Sequence, residues 1–321
     1  MNAEEQSGIE TRLARILPGA EPVRITGVAS LGAQRSTLFL EIGDGDSSRR
    51  AVAQIADQVI AATQVDIEAD LLRAAQGAGV PVPPILAVDT QMGVVVSEHV
   101  EGETLPRRIL RRMKVESNLG DRLTTDSGRA LAAIHQIPSE ALPRLDDVSD
   151  PLRYAAELEK LLDSLSAPNP SFRLGLRWLR QNAFEQTTKA TLVHGDYRLG
   201  NIIVGDVGLA AVLDWELAHR GDPMEDLAWL CLRTWRFGED AHEVGGFGAL
   251  TTLREAYEDA GGVWREDAFD WWTVARTLWW GLGLARQTEA FLSGATDSIV
   301  LAASGRRVAE LEYDLLRLIG P

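Results

Sequence analysis

Residues 194–201 read HGDYRLGN and residues 213–216 read LDWE, with the run IIVGDVGLAAV between them. Ile202-Ile-Val204 and Leu209 to Leu213 are apolar, and Gly205-Asp-Val-Gly208 is a turn signal, so the segment predicts a β-hairpin. Folding the chain about Val207 makes the numbers of facing residues sum to about 413–415, as a two-residue hairpin loop requires. Asn201 then lies opposite Asp214 or within two residues of it. Directly opposed residues have Cα atoms about 4.5–5.5 Å apart. An amide oxygen and a carboxylate held so close can share one hard cation, and Mg²⁺ takes oxygen ligands while keeping several waters. Asp196 sits on the preceding turn, able to face the same opening without being a ligand. A carboxylate that accepts a proton, beside an Asn and an Asp that hold Mg²⁺, is a minimal kit for phosphoryl transfer to a hydroxyl.

The rest of the chain narrows the classes that need considering. At 321 residues it is long enough for two domains or one bilobal one. Its net charge of −15 excludes a general nucleic-acid binder, which needs a positive field for phosphate. No stretch approaches the ~20 apolar residues that span a bilayer. The start, MNAEEQSGIE, lacks the apolar core of a signal peptide. The lone cysteine, Cys231, excludes an intrachain disulfide and reads as a core residue of an apolar helix. A soluble, cytoplasmic protein is expected. No P-loop, HExxH or GxSxG motif supports a rival chemistry, and His99, His135 and His242 match no metal-ligand spacing.

Short apolar runs separated by Gly, Asp and Ser predict strands at VRITGVASL, STLFLEIG, RRAVAQIA, ILAVD and GVVVSEHV. A helix is expected from about Gln64 to Gly77, with Ile67, Leu71, Leu72 and Ala75 on one face. After Gly102 the sequence is mainly helical apart from the hairpin. The expected fold class is α+β: a strand-rich N-terminal lobe over residues 1–100, a hinge at about 97–102, and a larger helical lobe over 101–321.

The run LVHGDYRLGNIIV…AAVLDWELAHRGDPMEDLAWL resembles the catalytic and metal-binding motifs of the aminoglycoside phosphotransferase and choline kinase-like family. It is most similar to that family's bacterial phosphotransferase branch, which also resembles the kinase-like domain fused to some acyl-CoA dehydrogenases. The resemblance covers roughly residues 25–235 and is most specific over 192–230. It implies a bilobal protein-kinase-like fold, ATP or GTP as donor, Mg²⁺, and a small-molecule hydroxyl acceptor. Asp196 would be the catalytic base, Asn201 and Asp214 the metal ligands, and His194 a brace of the catalytic loop. Asp226 would support the site or cap the following helix. Glu216, two residues past Asp214, would point to the same side in an extended chain and touch metal or substrate, or else be a solvated carboxylate. Backbone groups of Glu98, His99 and Val100 would receive adenine.

One position departs from the family pattern. The third strand normally carries Lys or Arg for the nucleotide phosphates, paired with a helix Glu. Here the register places Gln54 in that slot, with Glu68 matching the helix glutamate, and no lysine precedes Lys114. Arg49 and Arg50 are nearby, but Arg50 lies about 13 Å up the strand at ~3.3 Å per residue. Arg35, on the loop LGAQRST that should cover the phosphates, is the favoured substitute. The alternative is a kinase-like module that binds nucleotide or metabolite without chemistry.

For the acceptor, Arg198, His219 and Arg220 are candidate contacts to an anion. Residues 107–114 carry five positive charges in eight positions, which is either a solvated helix face or an anion site. Both features count against a polycationic aminoglycoside and leave room for a hydroxyacyl-CoA ester. Trp272, Trp279 and Gly283 share one helical face and read as core more readily than as a substrate wall.

Overall fold

The computed structural model describes residues 3–17, 19, 21–31, 35–45, 48–56, 61–185 and 189–320. Within it the chain divides into two units: residues 1–103, 137–144 and 202–216, and residues 104–136, 145–201 and 217–321. The division departs from a single cut near residue 100, because the hairpin and a short loop group with the first unit.

The first unit is built on an antiparallel sheet. Its strands are β1 (Val23–Leu31), β2 (Arg35–Ile42), β3 (Arg49–Ala56), β4 (Ile85–Asp89) and β5 (Val94–Glu98), in the order β1-β2-β3-β5-β4. Alternation sorts the two faces. Ala51 and Ala53 of β3 join Leu38, Leu40, Val94 and Val96 in one core, which Leu13 of helix α1 (Ala3–Ile16) closes. The sequence reading missed α1, whose Glu4 and Glu5 in the first turn and Arg15 in the last suit the helix dipole. On the other face, Val95 and Ala56 pack with Val65 of α2 (Ala61–Gly77). That helix buries Val65, Glu68, Ala69, Leu71, Leu72 and Ala75, so its inward stripe includes a carboxylate.

In the second unit, three helices start with proline at the first turn, where its missing N–H costs nothing: α3 (Pro106–Met113), α5 (Pro151–Asp163) and α6 (Pro170–Gln181). Asp150 and Asn169 cap the latter two by accepting from Leu152 and Arg153, and from Phe172. Between α3 and α5 runs α4 (Leu119–His135), which packs on α8 (Leu250–Asp259). The longest helix, α9 (Glu266–Leu292), is the hub; Trp271 and Trp272 on it are fully buried, and the Trp271 indole donates to Leu179 O at 2.9 Å. Helices α10 (Ile299–Ser304) and α11 (Val308–Ile319) end the chain. Two short strands escaped the sequence reading: β6 (Thr191–Val193) pairs antiparallel with β9 (His219–Gly221). Helix α7 (Met224–Cys231) follows β9 and is buried along its whole length. Burial pushes its Cys231 thiol up to about 12.

Between β6 and β9 the chain makes the hairpin, β7 (Ile202–Gly205) and β8 (Gly208–Val212). Its register pairs Ile202 with Val212 and Gly205 with Gly208, as the sequence predicts, with one irregularity after Ile203. Val204 exchanges backbone hydrogen bonds with Glu103 at 3.0 Å, and Val212 N–H donates to Pro81 O at 2.7 Å. These bonds tie both strands into the first unit. Among the described residues no helix is long and apolar enough to cross a membrane.

Candidate active site

The loop after β6 is held from beneath by one buried carboxylate. Asp226, fully buried on α7, accepts from His194 N–H at 2.8 Å, Gly195 N–H at 2.9 Å and the His135 ring at 3.1 Å. Burial alone would raise its pKa, but the His135 bond and charge, helped by the His194 side chain and N–H, leave it below the ordinary carboxylate value. It does not cap α7 as the sequence allowed: that position belongs to Pro223, and Met224 N–H donates to Asp222. Gly195 has φ +81°, and a Cβ there would lie 2.4 Å from Leu217 O, so only glycine fits.

Asp196 is the focus of this loop. Its Oδ1 accepts from Trp229 Nε1 at 2.8 Å and Arg198 Nε at 2.9 Å. Its Oδ2 accepts from Asn201 Nδ2 at 2.6 Å and Arg198 Nη2 at 3.1 Å. Four donors therefore converge on one carboxylate. The same Asn201 amide nitrogen also donates to Asp196 O at 3.0 Å, which leaves the Asn201 carbonyl oxygen as its acceptor end. His194 is fully buried, and its Nδ1 accepts from Asp196 N–H at 3.2 Å. Arg198, far from lying open to a ligand, pairs with Asp196 and stacks 4.5 Å over the Trp235 ring.

A residue absent from the sequence reading supports the whole arrangement. Arg276 of α9 is 3% exposed and lies against both the Trp229 and Trp279 rings, at 4.3 and 4.1 Å. It donates to Gly195 O at 2.6 Å and to Glu225 Oε1 at 2.8 Å. Its signal in the sequence is a lone arginine in DWWTVARTLWW, one turn after Trp272 and one before Trp279 and Trp280. The expected aromatic stripe thus divides: Trp272 is core, whereas Trp279 covers this cation.

One expected acceptor contact, His219, is corrected. His219 Nε2 bonds Glu225 Oε2 at 3.0 Å and Nδ1 bonds Leu217 O at 2.8 Å, so the ring is committed internally. Burial works against its charged form, but Glu225 more than offsets this and its pKa is raised. Arg220 exchanges backbone bonds with Asp146 and Val148 across β9, and its Nε is buried without a hydrogen-bond partner.

In the first unit, Gln54 pairs with Val95, so it lies on the sheet face that α2 covers. Glu68 is 4% exposed and one turn from Val65 on α2, so its side chain is turned inward rather than toward solvent. Arg50 is taken up by an ion pair with Glu101. Arg35 opens β2, but its side chain and residues 32–34 of the expected phosphate loop lie outside the described residues. Glu98 N–H donates to Pro84 O and His99 N–H to Arg50 O, which occupies two of the N–H groups of the expected adenine edge. The His99 ring packs near Phe39, and burial together with Arg50 lowers its pKa.

Asp214 follows β8 at φ +64°, a costly conformation for a residue other than glycine. The chain then turns into a short 3-10 helix, Trp215–Leu217. The extended geometry assumed for Glu216 therefore does not exist, and its exposed side chain cannot be placed beside Asp214 by strand parity. Among the described residues no three His, Cys, Asp or Glu side chains gather as a metal site. Asn201 belongs to the second unit and Asp214 to the first, and each carries an oxygen donor of the kind Mg²⁺ takes.

Comparison with known proteins agrees with this fold. The family model described as Phosphotransferase enzyme family matches residues 27–269. Acyl-CoA dehydrogenase family member 10 of Mus musculus is 28% identical over 177 residues, covering 52% of this chain and 16% of that protein. The probable acyl-CoA dehydrogenase IBR3 of Arabidopsis thaliana is 28% identical over 223 residues, 63% of this chain and 27% of that protein. The chain thus spans less than a third of these relatives. A Ralstonia eutropha protein assigned as an aminoglycoside phosphotransferase superposes with TM-score 0.73 at 19% identity, covering 97% of each chain. A mutant of aminoglycoside phosphotransferase APH(4)-Ia, in ternary complex with AMP-PNP and hygromycin B, gives TM-score 0.63 at 16% identity, covering 96% of this chain and 98% of its own.

Proposed function

The chain belongs to the phosphotransferase enzyme family, with the bilobal kinase-like fold, and on that premise we propose that it is an ATP- and Mg²⁺-dependent small-molecule kinase. The acceptor is a hydroxyl compound; a hydroxyacyl-CoA ester or another small metabolite fits better than an aminoglycoside. The observation that carries the reading is the Asp196 carboxylate, aimed by Trp229 and Asn201 on a loop that Asp226 and Arg276 immobilise. Positioning of this kind is most of what phosphoryl transfer asks of a protein.

In the reaction, the acceptor oxygen bonds to the γ-phosphorus while the bond from that phosphorus to the bridging oxygen breaks, releasing ADP. Asp196 orients the hydroxyl and takes its proton, passing it on to water. Mg²⁺, when held by Asn201 and Asp214, would neutralise charge on the phosphate oxygens. On this reading Glu68 and Gln54 would lie toward the nucleotide phosphates, and backbone groups of Glu98, His99 and Val100 would form the adenine edge.

Replacing Asp196 with Ala should lower turnover by at least ~10²–10⁴-fold, the usual contribution of a general base, with Mg-ATP affinity retained. The assay runs hydroxyacyl-CoA esters, amino-alcohols and aminoglycosides side by side; unchanged turnover refutes the assignment. Gln54 favours a second reading, a binding module without chemistry, because glutamine brings no charge to the phosphates. Calorimetric Mg-ATP binding, with no loss of γ-phosphate to any acceptor, would select it.

A further inference from the structure

A cleft of about 960 Å³ lies within the second unit, large enough for a drug-sized ligand. Arg107, Arg108, Arg233 and Arg307 line it, with Leu105 and Phe237 as apolar edges. In a chain of net charge −15, four guanidinium groups around one cleft run against the general balance. The three acids in the lining already have partners. Arg233 holds Asp240 at 3.0 Å and Asp314 at 3.1 Å, and Arg307 holds Glu310 at 3.3 Å while donating to Thr234 at 2.6 Å. Arg107 is exposed and makes none of the ion pairs found among the described residues.

The cleft adjoins the Asp196 loop. Arg233 and Thr234 share a 3-10 turn with Trp235, the ring over which Arg198 stacks. A Cβ on Gly200 would lie 2.8 Å from Arg198 Nη1 and 3.9 Å from Pro106 Cγ, a residue of the cleft wall. Arg198 meanwhile occupies both oxygens of Asp196, leaving an incoming hydroxyl no acceptor position until the guanidinium moves.

We propose that the acceptor is an anion, a hydroxyl compound carrying a phosphate or carboxylate that this cleft binds, and that its negative charge draws Arg198 off Asp196. The proposal rests on the kinase reading for the word acceptor, but the cleft's affinity is measurable without it. Guanidinium groups bind both anions through paired N–H donors, whereas a polycation would find no carboxylate left to receive it. Arg198 would exchange one anionic partner for another, so releasing the base costs little net charge pairing.

The test is calorimetry in saturating Mg-ADP with four probes: glycerol 3-phosphate, 3-hydroxybutyrate, glycerol and kanamycin. At least one anion should bind, and the double variant Arg107→Ala/Arg108→Ala should weaken it roughly tenfold or more, as expected for lost charge-assisted bonds. Arg111→Ala, on the same helix but outside the cleft lining, should change nothing. Both variants alter exposed side chains, and an unchanged melting temperature confirms folding. Equal affinity in wild type and double variant overturns the proposal, as does preference for glycerol or kanamycin, or no anion binding up to ~10 mM, beyond which affinities have no meaning for a site. Failure to bind Mg-ADP in the same experiment would instead count against the kinase reading, with the anion titration still deciding the cleft. For whichever anion is phosphorylated, the double variant should raise KM and leave kcat nearly constant.

Discussion

The Asp196 loop and the third strand of the first sheet are built in opposite ways. Around Asp196 both carboxylate oxygens and the loop's buried N–H groups are answered, through Trp229, Asn201, Arg198, His194 and Asp226. Around Gln54 the sheet is equally well ordered, yet the slot where the family pattern has a cation holds a neutral amide on the face that α2 covers. Order alone therefore does not identify a working site. A loop whose charges are mutually compensated is expensive to assemble and easy to break, whereas a strand lacking a charge is stable and waits for one from elsewhere.

The largest expected effect breaks the loop. Asp226→Ala removes the one acceptor for two backbone N–H groups and a histidine ring, all buried. Stability should fall by roughly 3–5 kcal/mol, the usual cost of removing one partner from a buried charged cluster, as read in urea unfolding. Phosphoryl transfer should fall with it. A loss below about 1 kcal/mol, the scale of a surface substitution, would mean that the loop does not depend on this carboxylate.

A smaller effect sharpens the other side. Gln54→Lys places a cation on the α2 face of the sheet. It should tighten Mg-ATP binding about tenfold, the ~1.4 kcal/mol that one charge-assisted hydrogen bond can supply. No change in calorimetric affinity would show that the phosphates are already held by another cation, Arg35 being the first to replace.

What was legible in the sequence follows the range of the forces involved. The hairpin register could be read because its apolar strands and glycine-bounded turn are local, and pairing Ile202 with Val212 needed nothing beyond them. The five sheet strands were legible for the same reason. Glu216 was misplaced because the left-handed φ of Asp214 and the 3-10 turn after it interrupt the alternation on which the argument relied. His219 looked available to a ligand because its partner, Glu225, lies on α7 and is oriented by Arg276 from α9. Arg276 itself was invisible since its value depends on two indole rings brought over it by tertiary packing. Strands β6 and β9, at three residues each, are too short to show a period of two.

The smallest expected effect concerns pH and separates the two histidine–carboxylate pairs of the loop's support. The His219 pKa is raised above 6.5, so its pairing with Glu225 contributes fully below that unfolded value and is lost as pH rises through the folded one. The Asp226 pKa is lowered below 3.8, so its contribution is complete above 3.8 and disappears as pH falls through the folded value. Stability should therefore decline slightly on the alkaline side through His219 and more steeply in acid through Asp226. His219→Asn keeps a hydrogen bond to Glu225 without a titrating ring. It should flatten the alkaline decline in melting temperature and leave the acid limb where it was. If both limbs shift together, the His219–Glu225 and Asp226 clusters are one electrostatic unit coupled through Arg276, and the loop's support is a single network.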